Sequence, residues 1–560
     1  MSSSYTNSPG VLRSFFLGSS ILSSPLLWNT DRSNEEKKFI KEIQTSVEKF
    51  LRTQEENFKK FDIQGTFSDE YLESLKQLGV FGLIIPEEYG GLGLSSWGYA
   101  KVIETVSYYD ASTAVTLGAH SSIGLRGLII FGNEDQKSRY LPRLATGELI
   151  AAFCLTEPNA GSDAASVQTV AERRSDGNYI LNGQKIWITN APFAQFFTVF
   201  ARTGKKRGEL SCFLIERDFK GVSVGAPEDK MGIRASKTAS VYFDNVIVPA
   251  ANLLHQEGQG FKVAMTILNN GRTGLAGGAV GGLKRLYNEA KAYANNRKQF
   301  EKPLAEFDLI KNKLVQIRAR IFAIESMVDL VSKLLDMRFE DCMLEAAALK
   351  VFATDSLWEG SNEALQIAGG NGYMRDLPFE RFVRDARINR IFEGTNEILR
   401  LFLALNGFKT FSEKYGSLKS ISSLYNDPIK GFGLFFDFVF GSVKKGAQPS
   451  VIELPESLKT LVRDLTKMEK LAFKTFKKLS FLVGGNIVGS QIISYHISEI
   501  LIWMLVLATS LVKASREQET LNIHLTEILF REGLEIIDRE LKCLEKDQTT
   551  LLRKTFSLLD

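Results

Sequence analysis

Tyr179-Ile180-Leu181-Asn182-Gly183-Gln184-Lys185-Ile186-Trp187-Ile188 sets the middle of this chain apart from both flanks. Two β-prone runs, Tyr179 to Leu181 and Lys185 to Ile188, enclose an Asn-Gly pair, which predicts a hairpin turning at Asn182-Gly183. The same texture runs from Ala151 to about Leu254, with Phe197 to Ala201, Ser211 to Ile215 and Val241 to Val248 as further strands. Both flanks read as helix. Upstream, Phe39, Ile40, Ile43, Val47 and Phe50 recur at three- and four-residue spacing, the pattern of one buried helix face. Downstream, Leu314, Ile317, Ile321, Ile324, Val328 and Val331 mark a long amphipathic helix. The small residues from Gly274 to Gly282 let another helix pack closely.

At 560 residues the chain exceeds one core, so two to four domains are expected. Its 44% hydrophobic and 24% charged residues are ordinary for a soluble globular protein. A formal net charge of +4 gives no case for nucleic-acid binding, although a mildly basic surface suits a polyanionic small ligand. Cys154, Cys212, Cys342 and Cys543 show no paired spacing, which points to a reducing compartment and away from disulfides or zinc. His120, His255, His496 and His524 are equally dispersed, so no metal site is expected, and His120 reads as a satisfied buried histidine. The first 30 residues lack acidic groups and are rich in Ser, like a transit peptide, but Arg13 is their only basic residue. No apolar run reaches the ~20 residues of a membrane span. Ile500 to Val512 has the length of a buried core helix. Gly258-Gln259-Gly260 lacks the third glycine of a dinucleotide fingerprint, since Val263 stands there.

Arg390-Ile391-Phe392-Glu393-Gly394-Thr395-Asn396-Glu397 places one carboxylate, Glu393, among apolar side chains and a bare glycine backbone. Desolvation raises a carboxylate's basicity, and glycine lets a substrate approach, so this residue suits a carbon base. A glutamate at a helix start more often pairs with backbone N–H groups. The weight therefore lies in its companions: Phe153 to Asp163, Asn182 to Asn190, Asn296 to Phe300, Gln366 to Tyr373, and Arg384-Asp385.

In order and spacing these motifs resemble the acyl-CoA dehydrogenases, from about Glu35 to Gly407. Ala151 to Pro158, Leu268-Asn269-Asn270-Gly271-Arg272 and the long tail look most like the very-long-chain branch, which includes a paralogue that assists respiratory complex I assembly. The expected fold class is α+β multidomain: a helical N-terminal domain (35–150), a middle β-barrel-like domain (151–256), a helical bundle carrying the base (257–410) and an extra C-terminal helical domain (451–560). A lead segment (1–34) and a linker (411–450) complete it.

No side chain accepts hydride, so such a reaction needs a redox cofactor, and the resemblance implies that it is FAD. It assigns Glu393 as the base that takes the α-proton, with Arg272 beside it as the cation that tunes and orients it. It carries over Phe153, Leu155, Thr156, Ser162, Trp187 and Thr189 as flavin contacts from the β motifs. Arg297 and Phe300 match residues that reach the flavin of a partner subunit. Gln366, Gly369 and Gly370 match the turn near the adenosine half, and Thr395 and Glu397 follow the base toward the cofactor. Ser162 also touches the CoA portion, and Asn269 and Gly394 flank the substrate. Gly118 and Ala119 leave the acyl cavity deep where shorter-chain relatives carry larger side chains; ordinary helix packing explains them equally well. Asp308 stands where many relatives have Gln, which removes one donor to the cofactor. Branches that relocate the base place it at the position of Gly271, which carries no carboxylate.

The expected activity is oxidation of long- or very-long-chain acyl-CoA to trans-2-enoyl-CoA, with electrons passing to an electron-transferring flavoprotein. Alternatives are a moonlighting or non-catalytic assembly factor and an oxygen-using oxidase. A homodimer is expected. Residues 431–445, with five phenylalanines and flanking lysines, suit peripheral contact with an anionic membrane, an ordinary buried helix being the alternative. The expected location is the bacterial cytoplasm at the inner membrane face, or else the mitochondrial matrix.

Overall fold

The computed structural model describes residues 9–415, Val443, 454–483 and 490–545, and the chain divides into two compact units. Residues 431–445 lie outside the described residues apart from Val443.

One unit comprises residues 32–310 and 357–393. Its first helix, Asn34–Arg52, starts at Ser33, whose hydroxyl accepts the Glu36 N–H at 3.1 Å. Ile40, Val47 and Leu51 form its buried face. Phe39 does not belong there, being 43% exposed, because one residue is a 100° step from Ile40 around the helix. The helices Ser96–Tyr109 and Gly260–Asn296 meet through small residues, as expected. A Cβ added at Gly277 would lie 2.3 Å from the Ala100 carbonyl oxygen, and one at Gly281 would lie 2.0 Å from that of Glu104. Any side chain at either place must push the helices apart.

Eight strands form one mixed sheet: β1 Ala151–Cys154, β2 Val170–Arg173, β3 Tyr179–Thr189, β4 Phe196–Arg202, β5 Leu210–Glu216, β6 Val222–Val224, β7 Thr238–Val248 and β8 Leu253–Leu254. The order is β6-β7-β3-β2-β4-β5-β8, with β1 parallel to β4. The expected hairpin is absent: Tyr179 to Thr189 is one continuous strand. It pairs along its length with β7, and the register shifts between Leu181 and Gly183. The Asn-Gly pair makes a bulge instead of a turn, with Gly183 at φ +146°. Across from it Asn245, at φ +51°, donates its N–H to Asn182 Oδ1 at 2.7 Å. A long partner strand outweighs the local turn preference, because every residue kept in the ladder retains its hydrogen bonds. A second shift, between Lys185 and Ile188, brackets Trp187.

The other unit comprises residues 1–31, 311–356 and 394–560, among which the described residues are considered. Leu314, Ile317, Ile321, Ile324, Val328 and Val331 are all buried on the helix Asp308–Asp336. Two stretches, Ala111–Phe131 and Gln491–Glu517, are long and apolar enough to cross a membrane by length and composition, which corrects the expectation that no run qualifies. Ser, Thr, His and charged residues interrupt both, which hid their length. Ile500 to Val512 is buried throughout, the state of a helix apolar on all sides inside a large core.

Residues 9–31 of the lead segment belong to this second core. Val11, Leu12, Phe15 and Phe16 are fully buried, and Phe16 stacks on Phe476 with ring centroids 5.9 Å apart. Buried carboxylates hold its backbone: Glu345 accepts the Leu12 N–H at 2.7 Å, and Glu469 accepts the Ile21 N–H at 3.0 Å and the Ser20 hydroxyl at 2.6 Å. Burial pushes both Glu345 and Glu469 up to about 7, against the hydrogen bonds that favour their charged forms. A carboxyl whose pKa is raised on folding binds more protons in the native state than in the unfolded one. Its contribution is therefore complete below the unfolded value, near 4.5, and is lost as pH rises through about 7. Glu469→Gln should remove one such group. The native protein's melting temperature should fall relative to that of the variant as pH rises from about 5 to about 8. Parallel curves for the two proteins would show that Glu469 does not titrate there.

Candidate active site

Glu393 is half-buried and sits at φ +54°, followed by Gly394 at φ +88°. A left-handed backbone is costly for a residue with a side chain, and such strain persists where the surroundings enforce it, often at functional sites. Glu393 Oε2 is shielded from solvent. It faces the helix Gly260–Asn296 at Gly271, where an added Cβ would stand 3.3 Å from it and 3.3 Å from Ile123 Cγ2. The bare backbone at Gly271 is what admits the carboxylate. One residue on, Arg272 is 6% exposed and donates through Nη1 to Asn269 Oδ1 at 2.6 Å. Arg272 is therefore a buried cation, with Asn269 as one partner that orients it. One turn further, Tyr99 fills the space beside Gly274, where an added Cβ would fall 2.6 Å from its ring. Burial drives the Tyr99 phenol upward; Arg126 opposes the rise and Glu393 adds to it, so a neutral hydroxyl lies in the field of the Glu393 carboxylate. Sequence reasoning missed Tyr99 and Arg126, which carry no motif of their own.

The β motifs converge beside a buried ion pair that sequence reasoning also missed. Lys185 and Glu157 are 0% and 4% exposed and 2.7 Å apart. Lys185 Nζ also donates to the Leu155 carbonyl at 3.1 Å, and Glu157 accepts the N–H groups of Gln168 and Thr169. The Ile186 N–H donates to the Thr156 carbonyl at 3.0 Å. With the Leu155 carbonyl turned to the lysine, the trans peptide turns the Thr156 N–H the opposite way. Phe153 and Thr156 are half-buried, Leu155 is buried and Ser162 is exposed. Trp187 is 64% exposed at φ +57°, an apolar wall held outward by the bulge, with Thr189 half-buried beyond it. Arg297, Phe300, Gln366, Gly369 and Gly370 are all exposed, Phe300 by 87%. Gly369 is at φ +58°, and neither it nor Gly370 would meet an atom within 4 Å through an added Cβ. An outward indole, an outward peptide N–H and an open glycine turn fit a flat aromatic cofactor with a nucleotide tail.

Ala119 is buried and Gly118 half-buried, and a Cβ at Gly118 would meet only Ser122 Oγ, at 3.9 Å. Asp308 opens its helix, where a carboxylate complements the positive end. In the other unit Thr395 Oγ1 accepts the Ile398 N–H at 3.3 Å, a helix-capping role, and Glu397 is exposed in that first turn. Lys350 is fully buried there and donates to the Gly394 carbonyl and to Asn396 Oδ1, each at 2.8 Å, anchoring the chain directly after Glu393. Its signal was a lysine inside the apolar run Ala346 to Ala353.

The histidines and cysteines are less dispersed than their spacing suggested. Among the described residues His496, Glu540 and Cys543 bring one ligand-type atom each within 4.8 Å of one another. Glu540 is engaged by His496 Nδ1 at 2.5 Å and by Arg539 at 2.8 Å, and the adjacent guanidinium disfavours a cation. His120 is fully buried, and its Nδ1 accepts the Ala151 N–H at 2.9 Å.

Three family profiles match the chain in order: the N-terminal domain of acyl-CoA dehydrogenases over residues 35–148, the middle domain over 152–246 and the C-terminal domain over 258–407. The mitochondrial very long-chain specific acyl-CoA dehydrogenase of Macaca fascicularis is 44% identical over 410 residues, covering 72% of this chain and 62% of that protein, so the match spans under two thirds of the relative. The Homo sapiens protein of the same name is 40% identical over 465 residues, covering 81% of this chain and 70% of its own. A crystal structure of an acyl-CoA dehydrogenase from Bacillus anthracis complexed with FAD superposes with a TM-score of 0.79 at 31% identity, over 94% of this chain and 91% of that one.

Proposed function

This chain belongs to the acyl-CoA dehydrogenase family, in its very-long-chain branch, and from that premise we propose that it converts long- or very-long-chain acyl-CoA to trans-2-enoyl-CoA with Glu393 as the base. The carrying observation is the glutamate itself, held in a left-handed backbone with one carboxylate oxygen buried against Gly271. A thioester α-proton is only weakly acidic, so a fixed base close to the α-carbon supplies most of what this chain must contribute. Gly394 leaves room for the substrate backbone, and the Glu393 N–H is a donor for the thioester oxygen. Arg272, oriented by Asn269, sets the field at the carboxylate. Phe153, Leu155, Thr156, Ser162, Trp187 and Thr189 would hold FAD, which supplies the hydride acceptor that no side chain provides. Gly118 and Ala119 leave space for a long acyl chain.

Arg297 and Phe300 serve the cofactor of a second copy in a homodimer, and Gln366, Gly369 and Gly370 lie at the adenosine half of the cofactor. The 87% exposed Phe300, the 78% exposed Leu309 and the 78% exposed Tyr373 support a surface that is covered on pairing. Electrons pass to an electron-transferring flavoprotein rather than to oxygen, and low peroxide output in its absence checks this.

Peripheral membrane contact gains support from the helix Glu456–Val483. Arg463, Lys467, Lys470, Lys474 and Lys478 are exposed at three- and four-residue spacing, along one side, with the 41% exposed Leu471 among them. A basic residue near an anionic surface contributes about 1 kcal/mol. Lys467→Glu, Lys470→Glu and Lys474→Glu together should therefore weaken binding to phosphatidylglycerol vesicles by at least about a hundredfold at low salt. Unchanged co-sedimentation would remove this helix from the membrane contact.

The test of the activity is anaerobic addition of palmitoyl-CoA to the flavin-loaded protein, followed by loss of visible flavin absorbance. Bleaching within seconds is expected. A protein that retains no flavin, or whose flavin never bleaches with any acyl-CoA, would overturn the proposal.

A further inference from the structure

We infer that the π-helical turn Ala119–Gly124, pinned by His120, holds the acyl-chain wall, the base and the start of the flavin-facing strand in one register, and that His120 is a positioning residue for the reaction proposed above; the inference rests on that proposal for its chemistry. The turn interrupts the helices Ala111–Gly118 and Arg126–Phe131. Such insertions give up good helical hydrogen bonding and recur at functional sites.

Three neighbours meet on it. Ile123 and the Glu393 carboxylate crowd the same backbone position, since a Cβ at Gly271 would stand 3.3 Å from each. Gly118 and Ala119 form the chain-facing approach to the turn. Its far end, Gly124, lies directly on β1, where an added Cβ would come within 2.8 Å of Ala151 Cβ. The polar pins are all buried. His120 Nδ1 accepts the Ala151 N–H at 2.9 Å, and Thr198 Oγ1 donates to the Gly124 carbonyl at 2.6 Å. Asn190 Nδ2 bridges the carbonyls of Thr116, at 3.0 Å, and Ala151, at 3.2 Å. Ala151 thus has its N–H held by the turn and its carbonyl by Asn190, the residue after β3.

The consequence is mechanical. Ala151 opens the strand that leads to Phe153, Leu155 and Thr156, and an extended strand passes a displacement along its length. Pressure from an acyl chain at Gly118 and Ala119 reaches the same turn from the other side. Burial drives His120 down to about 3, so the imidazole stays neutral and its Nδ1 remains an acceptor across the working pH range. The edge of its ring rests on Phe81 with centroids 5.1 Å apart, which fixes the rotamer.

The experiment compares His120→Leu, which fills the space without an acceptor, with His120→Asn, whose Oδ1 restores one near the Nδ1 position. Two readouts are taken on the flavin-loaded protein: kcat and KM for C8, C12, C16 and C20 acyl-CoA, and backbone deuterium uptake without substrate. In His120→Leu, uptake should rise together in peptides covering 118–124 and 151–156. Its kcat should fall roughly tenfold or more for C16 and C20, and less for C8, because small misplacements of a reacting pair are costly. His120→Asn should return both readouts to within about threefold of native, with the pH profile of kcat unmoved throughout. Unchanged uptake, or uptake rising in only one of the two peptides, would overturn the inference. So would a uniform loss at all chain lengths that His120→Asn shares. If the native protein oxidises no acyl-CoA, the proposed activity fails, while the exchange readout still decides whether His120 couples the two segments.

Discussion

Glu393→Gln will keep flavin and acyl-CoA binding while turnover falls by roughly 10²–10⁴-fold, the span that a positioned general base contributes. The substitution preserves shape and removes only proton affinity. The surroundings explain why nothing nearby replaces it. The facing helix offers Gly271, which has no side chain, and Arg272, which remains cationic. Tyr99 lies in the same field, but burial holds its hydroxyl protonated, so it is no base at neutral pH. The measurement is anaerobic bleaching with palmitoyl-CoA, native against variant, with flavin content determined for both. Bleaching that survives unchanged in Glu393→Gln would dismiss Glu393 as the base. Bleaching that disappears along with the flavin would instead show that the substitution damaged the fold, and Glu393→Asp, which retains a carboxylate one methylene short, separates the two by partial activity.

Lys185→Met should destabilise the sheet-bearing unit by about 3–5 kcal/mol, the usual cost of leaving one partner of a buried ion pair unmatched. Glu157 would keep its two backbone N–H donors but lose its counter-charge in a site 4% exposed. The Leu155 carbonyl would lose its buried donor as well. These groups orient the peptide whose N–H points away from Lys185 at Thr156, so flavin retention should fall along with thermal stability. Lys185→Met combined with Glu157→Leu removes both charges and should recover part of the stability, since an apolar replacement of a whole pair is often neutral. It should not recover flavin retention, because the Leu155 carbonyl remains without its donor. Melting at the native temperature in the single variant would mean that the pair contributes little. Recovery of flavin retention in the double variant would detach the lysine from the cofactor loop.

The motifs of the site were legible because each is short and chemically narrow. Glu393 beside Gly394, the run Phe153 to Asp163 and the glycine turn Gly369-Gly370 announce themselves without tertiary knowledge. The helix-packing glycines from Gly274 to Gly282 were legible for the same reason, since a run of missing side chains has few uses. The Asn182-Gly183 turn was misread because turn propensity is local, whereas the bulge depends on β7, some sixty residues downstream in the chain. Phe39 was misplaced because a face drawn from spacing alone carries an uncertainty of one residue, or 100°. The buried contacts of Lys185, Lys350 and His120 went unread because a buried polar residue takes its role from its partners. Those partners, Glu157, Asn396 and Ala151, lie 28, 46 and 31 residues away.

By itself, then, the sequence determined the order of helical, β and helical segments and the family, and it singled out Glu393 as the candidate base, since these depend on periodicity and on residue types at fixed local spacing. The tertiary structure alone decided that Glu393 faces Gly271, that Arg272 is buried, that Val11, Leu12, Phe15 and Phe16 fill a core and that a π-helical turn rests on the first residue of β1. Each of these is a contact between distant parts of the chain, and what fixes it is the requirement that every buried charge, N–H and void be matched by a neighbour that local sequence does not specify.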